Sequence, residues 1–429
     1  MTARTEHAAS SEAGLTGSGP GNSSAAAAPF DSPLSAAMLN IEAKSRSNLF
    51  PWRGQFSPQL VEALLCAYVV PGSVVLDPFM GSGTVLVESA RLGLPVHGYE
   101  VNPAAYLLAR VYELCESPLP KRLEALNNAE AILTQARPAA FELPLFRTAV
   151  TAPLPASASP HWVRATTDPA VKTLLEALLV LLDDNADHDD SYVHNWTSIR
   201  EVVLNLPHSA SPVRASLGDA RRLHLPDASV GFVLSLPPYI NVFNYHHNSR
   251  SGIESLGWKP LVVARSEIGA NRKFRQNRFL TVVQYCIDMA LVLTELRRVC
   301  TDSARIILVL GRESNVHKTA IYNSQILEHL AVKVVGLRVH LKQERVFLNR
   351  FGQSIYEDLL HLSPEPTWRP PSKDAIIEHA RNVGTQALVE AAGRTPGDRK
   401  HFLDEAITRA REVEPSPVLQ PAEANGASL

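Results

Sequence analysis

The sequence predicts an α/β fold with a doubly wound, mostly parallel sheet that ends in a C-terminal antiparallel strand pair. Apolar, β-branched runs of strand length alternate with segments of helical periodicity along most of the chain. The first of these runs ends in a glycine-rich turn at residues 77–84, and a helical pattern follows directly. The last two runs, residues 334–342 and 355–362, have no helix between them, which is typical of an antiparallel pair.

Each element follows from its local pattern. The predicted strands lie at residues 74–76, 95–102, 213–218, 230–236, 304–311, 334–342 and 355–362. The predicted helices lie at residues 59–68, 85–92, 170–183, 192–206, 282–299, 376–392 and 401–413. Two of these helices fall between the second and third strands, so we expect a helical insertion in the middle of the chain.

Composition divides the chain into five segments. Residues 1–33 are rich in Ala, Ser and Gly with little hydrophobic periodicity, and are predicted to be a disordered tail. Residues 34–137, which contain the glycine-rich turn, are predicted to be the cofactor-binding half of the α/β domain, and residues 211–365 are predicted to be its catalytic half. Between them, residues 138–210 contain proline-rich linkers and the helical insertion. Residues 366–429 are predicted to be a helical C-terminal extension.

Charge and cysteine content limit the possible function classes. The formal net charge of the 429 residues is −2, so any contact with nucleic acid must come from a local basic face. The four cysteines are scattered without a C-x-x-C pair, which indicates neither a disulfide framework nor a zinc site. No apolar run reaches the roughly 20 residues of a membrane span, and the N-terminus lacks a secretory pattern. We therefore expect a cytoplasmic protein with no membrane partner and no metal.

The turn at residues 77–84 reads Asp-Pro-Phe-Met-Gly-Ser-Gly-Thr and predicts a ligand site. Gly81 and Gly83 have no Cβ, so backbone N–H groups and a helix N-terminus can approach a ligand closely. No Gly-Lys-Ser/Thr follows, and the spacing is not G-x-G-x-x-G, so this is neither a P-loop nor a dinucleotide fingerprint. Asp77 offers a carboxylate to a cationic group.

Two further acidic residues follow later strands. Glu100 closes the second strand about 20 residues beyond the glycines, where a carboxylate can accept hydrogen bonds from both hydroxyls of a ribose. Asp219, just past the third strand, is predicted to accept from the amino group of an adenine. S-Adenosylmethionine carries a cationic sulfonium, a ribose diol and an adenine, so it fits this set. The predicted cofactor residues are Asp77, Pro78, Phe79, Gly81, Gly83, Thr84, Glu100, Asn102 and Asp219.

A second motif, Pro237-Pro238-Tyr239, follows the fourth predicted strand. Proline has a fixed φ and no N–H, so the two prolines form a rigid shelf whose carbonyl groups can accept hydrogen bonds. Such acceptors can hold the hydrogens of an exocyclic base amine and free its lone pair to take a methyl group. Tyr239 is expected to stack on a base turned out of the duplex. No cysteine follows a proline, which argues against a covalent cysteine route.

With these motifs the chain resembles the amino-group DNA methyltransferases, most closely the N4-cytosine type, which carry a DPFxGSGT cofactor loop and an S-P-P-Y catalytic motif. Residues 77–84 match the first motif without exception, and the resemblance spans residues 48–362. It implies a Rossmann-like methyltransferase fold, S-adenosylmethionine as cofactor, DNA as substrate and a cognate restriction endonuclease as partner. Cytosine is favoured over adenine only through this resemblance. Further family-like segments lie at residues 50–56, 218–221, 239–241 and 266–269.

The catalytic motif departs from the family pattern at position 236, where Leu stands in place of Ser, Asp or Asn. Ser235 faces the opposite side of an extended strand, so only a local bulge would let its hydroxyl substitute. The candidate catalytic residues are therefore Ser235, Pro237, Pro238 and Tyr239, and loss of one acceptor is expected to slow the reaction by about 10²–10³-fold. Two alternatives stay open: an RNA guanine-N2 methyltransferase, and a catalytically impaired protein that binds cofactor and DNA.

A basic segment at residues 241–279 follows the catalytic motif. Its cations are opposed only by Glu254 and Glu267 and are interleaved with aromatic residues, the pattern that phosphate contacts and base stacking require. Arg345 and Arg350 are expected to extend this face. His246 and His247 have no third ligand at suitable spacing, so no metal site is predicted there. The candidate DNA contacts are Arg250, Lys259, Arg272, Lys273, Arg275 and Arg278.

Overall fold

The computed structural model describes residues 27–41, 46–50, 52, 54–136, 161–182, 189–240, 249–270, 274–349 and 352–424. The strands are β1 (Val75–Asp77), β2 (Val96–Glu100), β3 (Val213–Leu217), β4 (Val230–Ser235), β5 (Cys300–Gly311), β6 (Ser314–Val316), β7 (Thr319–Ile321), β8 (Leu337–Leu348) and β9 (Ser354–Pro364).

The helices of the first half are α1 (Ala36–Leu39), α2 (Pro58–Tyr68), α3 (Thr84–Arg91), α4 (Pro103–Arg110), α5 (Leu119–Ala136), α6 (His161–Ala165), α7 (Pro169–Leu181) and α8 (Asp189–Leu204). Those of the second half are α9 (Arg250–Ser255), α10 (Pro260–Val263), α11 (Leu280–Val299), α12 (Asn323–His329), α13 (Lys373–Ala391), α14 (Lys400–Arg409) and α15 (Pro421–Ala424). None of the described helices is long and apolar enough to cross a membrane.

A seven-stranded sheet has the order β3-β2-β1-β4-β5-β9-β8, and β6 and β7 form a separate hairpin. Strands β3, β2, β1, β4 and β5 are parallel to their neighbours. Strand β9 runs antiparallel to both β5 and β8. The doubly wound parallel core and the C-terminal antiparallel pair predicted from the sequence are therefore confirmed.

The chain reverses its course across the sheet between β1 and β4. After β1 it moves outward through β2 and β3, and it then returns to the other side of β1 as β4. Ligands of doubly wound sheets bind outside the carboxyl ends of the strands at such a reversal. Leu76 of β1 pairs with Val233 of β4, so the turn after β1 and the motif after β4 emerge side by side.

The helices predicted for the middle of the chain extend the core of the first half. Helix α7 packs on α4 and α5, and its buried face belongs to the same apolar cluster as α2 and α3. Helix α5 was not predicted from the sequence, because small alanines and charged residues weaken its apolar pattern. Its buried positions, Ala125, Leu126, Ala129 and Leu133, nevertheless recur at helical spacing.

In the second half, α11 is buried along most of its length between the sheet and α13. The two helices approach closely at Gly384, where an added Cβ would lie 2.8 Å from the Cα of Val283. A larger residue there would force the helices apart, so the C-terminal extension is anchored on the catalytic half.

The outer strand β3 has its free edge covered by carboxylates. The backbone N–H of Val213 donates to Glu116 at 2.8 Å, and that of Ala215 donates to Glu113 at 3.0 Å. Side-chain acceptors thus occupy edge groups that another strand would otherwise bind.

The described chain is already packed before the predicted ordered start at residue 34, because the N–H of Ala28 donates to the carbonyl of Ala67 at 2.8 Å. Residues 1–26 of the predicted tail and residues 137–160, which contain the predicted linkers, lie outside the described residues. The predicted domain boundaries remain predictions.

Candidate active site

Two glycines in the left-handed region shape the turn between β1 and α3. Gly81 has a φ of +52° and Gly83 a φ of +91°. An added Cβ at Gly83 would lie 2.8 Å from Cδ2 of Tyr112, and one at Gly81 would lie 3.3 Å from Cδ1 of Trp52. The turn is therefore enclosed by aromatic rings at distances that only glycine permits.

Glu100, at the end of β2, is held by two backbone donors. The N–H of Gly81 donates to Oε2 at 3.0 Å, and the N–H of Asn102 donates to Oε1 at 2.8 Å. An ionised carboxylate has about four acceptor sites, so each oxygen keeps capacity for one more donor. The side chain of Asn102 instead caps α4 by accepting from the N–H of Ala104 at 2.9 Å.

Asp77, at the end of β1, is bound by a residue of the neighbouring strand. The Ser235 hydroxyl donates to Oδ1 of Asp77 at 2.6 Å, and the Phe79 N–H donates to the same oxygen at 3.1 Å. Since both donors bind Oδ1, Oδ2 is the oxygen that can accept from a ligand. Burial raises the pKa of Asp77 to about 7, against the opposing effect of these two hydrogen bonds.

Burial likewise raises the pKa of Glu100 to about 7, although the bonds from Asn102 and Gly81 oppose the shift. The negative charges of Asp77 and Glu267 add to the increase. Three carboxyl groups thus lie close together in a buried setting, where a bound cation would favour their ionised forms.

One pocket joins the ends of β1 to β4 and brings together most of the residues predicted from the sequence. Gly83, Asn102 and Ser235 are not among the residues that line it. The predicted residues that do line it are Asp77, Pro78, Phe79, Gly81, Thr84, Glu100, Asp219, Pro237, Pro238 and Tyr239.

Part of this pocket lies in a segment that matches known DNA methylases. Residues 31–110, which include the turn and Glu100, match the model of the family described as DNA methylase. The Type II methyltransferase M.MjaII of Methanocaldococcus jannaschii is 41% identical over 63 residues, which are 15% of this chain and 12% of that protein. The similarity to DNA methylases is therefore found in residues 31–110, the part of the chain that contains the turn and the end of β2.

Solved structures with a similar chain course include an S-adenosylmethionine-dependent methyltransferase of Methanosarcina mazei. It is 12% identical, with a TM-score of 0.33, over 70% of this chain and 96% of its own. The PH0226 protein of Pyrococcus horikoshii is 13% identical, with a TM-score of 0.32, over 71% of this chain and 88% of its own.

S-Adenosylmethionine is the cofactor of this methyltransferase family, and the donor set of the pocket fits it. Asp77 offers a carboxylate oxygen for a cation, and Glu100 offers one remaining acceptor site on each oxygen for a ribose diol. The left-handed glycine turn leaves backbone free for close approach. Among the described residues, no group of three or more His, Cys, Asp or Glu side chains is arranged to hold a metal ion.

The catalytic motif differs from the methyltransferase pattern in space as well as in sequence. Ser235 is completely buried and points to Asp77, so it does not replace the polar residue missing from position 236. Leu236 lines the pocket directly before Pro237. No bulge brings the Ser235 hydroxyl round to the pocket, so its predicted role as the catalytic acceptor is not supported by its position.

Tyr239 is fixed from two sides by glycines. An added Cβ at Gly311 would lie 2.9 Å from Cε2 of the Tyr239 ring, and one at Gly269 would lie 2.5 Å from its carbonyl oxygen. The Tyr239 hydroxyl lies 3.5 Å from Oε1 of Glu357, whose other oxygen is paired with Arg345 at 2.7 Å. The ring that is predicted to stack on a base therefore has a defined position.

The Asp219 carboxylate has other partners than those predicted from the sequence. Oδ1 accepts from the backbone N–H and Nε of Arg221, at 3.0 and 2.9 Å. Oδ2 accepts from a second guanidinium nitrogen at 2.6 Å and from the Leu419 N–H at 3.0 Å. These four donors use the full acceptor capacity of a carboxylate, so Asp219 lines the pocket without a site for an adenine amino group.

Several residues that line the pocket were not predicted from the sequence to be site residues. Gln55 lines the pocket and donates to the Ser82 hydroxyl and to the Phe50 carbonyl, which ties the aromatic loop to the cofactor turn. Ser266 and the buried Glu267 also line it, although the sequence singled them out only within a family-like segment. That segment, which ends in Gly269, was the signal that the sequence offered for these two residues.

The candidate DNA contacts and the neighbouring residues considered with them fall into three groups: exposed, paired with a carboxylate, and outside the described residues. Lys259, Arg275 and Arg278 are exposed, whereas Arg250 forms an ion pair with Glu254 at 2.8 Å. Arg345 is buried in its pair with Glu357 and donates to the carbonyl of Leu39 at 3.0 Å, so the expectation that it extends a basic surface is wrong. Arg272, Lys273, His246, His247 and Arg350 lie outside the described residues.

Proposed function

We propose that this protein is an S-adenosylmethionine-dependent methyltransferase that acts on an exocyclic base amine in DNA, with cytosine N4 as the target. The observation that carries the proposal is the single pocket formed by the turn after β1 and the Pro-Pro-Tyr shelf after β4. Cofactor binding and base binding are thereby brought to adjacent strand ends. The family match of residues 31–110 supports DNA as the substrate, and the earlier sequence resemblance supports cytosine.

In this proposal the cofactor supplies an electrophilic methyl group when bound. Asp77 and the glycine turn hold its cationic, amino-acid side, and Glu100 holds the ribose hydroxyls. Trp52 lies over Gly81 and shields this end of the pocket from water. The sheet order places these contacts next to one another along the pocket. The turn follows β1, and Glu100 closes β2, the neighbouring strand on the side away from β4.

The target base must leave the duplex to enter the pocket. Tyr239 provides a fixed aromatic face for it, and the carbonyl groups of Pro237 and Pro238 are acceptors without competing N–H groups at the same residues. A carbonyl that accepts from the exocyclic amine draws its lone pair away from the ring. The amine nitrogen itself is then the nucleophile, and no covalent attachment to the protein is needed.

Leu236 decides how fast such an enzyme can be. A polar side chain at this position would accept a second hydrogen from the amine, and loss of one positioned partner in comparable sites costs about 10²–10³-fold in rate. Because Ser235 is directed to Asp77, the shelf carbonyls must carry this role alone. The same observation favours one second candidate, a protein that binds cofactor and DNA without turnover.

The exposed residues Lys259, Arg275 and Arg278 supply phosphate contacts in this proposal. A restriction endonuclease as partner is supported only by the resemblance and by the name of the Type II relative. That role predicts that methylated DNA becomes resistant to a nuclease of matching specificity.

The decisive experiment measures transfer of a labelled methyl group to unmethylated DNA, with nucleoside mass spectrometry of the product. Native protein is compared with Leu236→Ser, which adds a hydroxyl to the pocket. Leu236→Ile is the matched control, since it alters shape without polarity. Tyr239→Ala is the expected loss-of-function variant.

N4-Methylcytosine from the native protein would establish the proposed reaction, and a faster Leu236→Ser would assign position 236 to the chemical step. Activity confined to Leu236→Ser would identify the native chain as the non-catalytic binder. Absence of methylated DNA from both proteins, with cofactor binding intact, would overturn the proposal and direct attention to RNA substrates.

A further inference from the structure

The C-terminal segment at residues 416–424, here named the C-terminal strap, binds Asp219, a residue that lines the pocket, through the N–H of Leu419. Its Ser416 binds Asp288 of α11 twice, through the N–H at 2.9 Å and through the hydroxyl at 2.6 Å. Leu419 is buried against Val101, Leu217, Trp258 and Val263. The strap ends with the Ala424 carbonyl accepting from the Lys259 N–H at 2.9 Å.

Arg221 connects this strap to the pocket. Its side chain is only 1% exposed and is paired with Asp219 at 2.6 Å and with Asp288 at 2.8 Å. The guanidinium also donates to the strap carbonyls of Ser416 and Pro417, at 2.8 and 2.9 Å. A further donation, at 3.3 Å, goes to the carbonyl of Ser266.

The residues held by this network form one wall of the pocket. Asp219 and Ala220 line it beyond β3, and Ser266 lines it from the segment after α10. These two chain segments meet through Arg221 and the strap, and the N–H of Leu419 completes the bonding of Asp219. The wall is therefore built from parts of the chain that local structure does not hold together.

This wall lies at the end of the pocket away from the chemistry. The Pro-Pro-Tyr shelf follows β4, whereas Asp219 follows β3, on the far side of β1 and β2. A cofactor that lies across the strand ends, with its methyl group toward β4, places its adenosine toward β3. Contacts at Asp219 and Ala220 therefore act on cofactor binding, whereas the segment that carries Ser266 continues to Gly269, which packs against the Tyr239 carbonyl.

We infer that the C-terminal strap and Arg221 together position the adenosine-binding wall of the cofactor pocket, with Arg221 as a positioning residue. This inference rests on the proposed use of S-adenosylmethionine. It assigns to the C-terminal extension a role in cofactor affinity. The strap holds the wall in place, because the Arg221 guanidinium is buried between Asp219 and Asp288 and also binds strap carbonyls. Water is excluded from this network and cannot replace these partners.

The test is calorimetric titration with S-adenosylmethionine and with S-adenosylhomocysteine, on the full chain and on a chain that ends at Pro415. Ser416→Ala is a milder variant that removes only the hydroxyl bond to Asp288. Thr395→Ala is the matched control, because its buried hydroxyl donates to the Ala391 carbonyl within the C-terminal extension and accepts from the Thr319 hydroxyl of β7, away from the strap. Thermal unfolding and DNA binding are measured for every variant.

The shortened chain is expected to bind both ligands about tenfold more weakly. Ser416→Ala is expected to bind them about threefold more weakly, with DNA affinity and kcat at saturating cofactor unchanged. Thr395→Ala is expected to lower the unfolding temperature without weakening cofactor binding. If the shortened chain does not fold, Ser416→Ala decides the question alone. Unchanged cofactor affinity in the folded strap variants, or equal weakening in Thr395→Ala, would overturn the inference. Failure of the full chain to bind either ligand would instead overturn the proposed function.

Discussion

The Ser235 hydroxyl donates a 2.6 Å hydrogen bond to Oδ1 of Asp77, across two neighbouring parallel strands. This bond connects the residue before Leu236 with the first residue of the cofactor turn. It also removes Ser235 from the set of groups that can act on a base. The serine adjacent to the Pro-Pro-Tyr segment is therefore directed to the turn after β1.

Ser235→Ala is expected to weaken cofactor binding and to lower stability by about 1.5–3 kcal/mol at pH 8, the range for a hydrogen bond to a charged group. Without the hydroxyl, the pKa of the buried Asp77 rises further, because this bond is the larger of the two that oppose burial. Calorimetric cofactor titration and urea unfolding check both effects. Ser229→Ala, which removes an exposed hydroxyl bonded to a backbone carbonyl, is the control. Equal behaviour of the two variants would contradict the prediction.

Cofactor affinity is expected to rise between pH 6 and pH 8. Burial raises the pKa of both Asp77 and Glu100 to about 7, so each carries a proton in part of the free protein at neutral pH. A cation and a ribose diol bind the ionised forms better, so binding releases protons. Titrations in two buffers of different ionisation enthalpy measure this release directly.

The same shifts have the opposite effect on the free protein. Because the folded pKa values lie above the unfolded ones, the folded state binds more protons between about pH 4 and pH 7, and stability from these two groups falls as pH rises through that window. Binding with no proton release at pH 7 would show that the two carboxyl groups are already ionised in the free protein.

Gly311→Ala is expected to reduce kcat by about 10²-fold with little change in cofactor affinity, since a shift of the order of an ångström in a positioned group has that effect. The new Cβ would lie 2.9 Å from Cε2 of Tyr239 and would displace the ring. Gly393→Ala is the matched control, because an added Cβ there has no neighbour within 4 Å. Steady-state rates with saturating cofactor separate the two variants, and equal kcat values would refute a positioning role for the Tyr239 ring.

His361 is expected to make the fold sensitive to acid. It is buried on β9, and its ring centroid lies 5.1 Å from that of Tyr68. Burial, the larger cause, and the positive charge of Arg305, the next, lower the pKa of His361 to about 3. Since the folded pKa lies below the unfolded value of 6.5, its contribution to stability is complete above pH 6.5 and is lost as pH falls toward 3. The slope approaches about 1.4 kcal/mol per pH unit.

His361→Phe keeps a ring in this place and removes the titration. Urea unfolding from pH 7 to pH 4 should show a shallower decline for this variant than for the native protein. Parallel curves would assign the acid sensitivity to other groups.

The local elements of the sheet could be predicted because their signals lie within short stretches of chain. The β1 turn carries its glycines and its acidic residue within eight positions, and β4 leads directly into the prolines. The antiparallel pair was also predicted, although β8 extends to Leu348, beyond the predicted end at residue 342. Helix α5 was not predicted because two of its five buried residues are alanines and a third is an arginine, which together give little hydrophobic contrast.

The sequence by itself determined the glycine turn after β1, the doubly wound order of elements and the Pro-Pro-Tyr segment after β4, since each depends on neighbouring residues and on backbone preference. Only the tertiary structure decided where the polar groups point. Ser235 binds Asp77, and Arg345 is buried with Glu357. Arg221 joins Asp219 to Ser416, which lies 195 positions after Arg221 in the chain. Buried polar groups must find partners wherever the fold brings them, so their roles follow from contacts that no local pattern encodes.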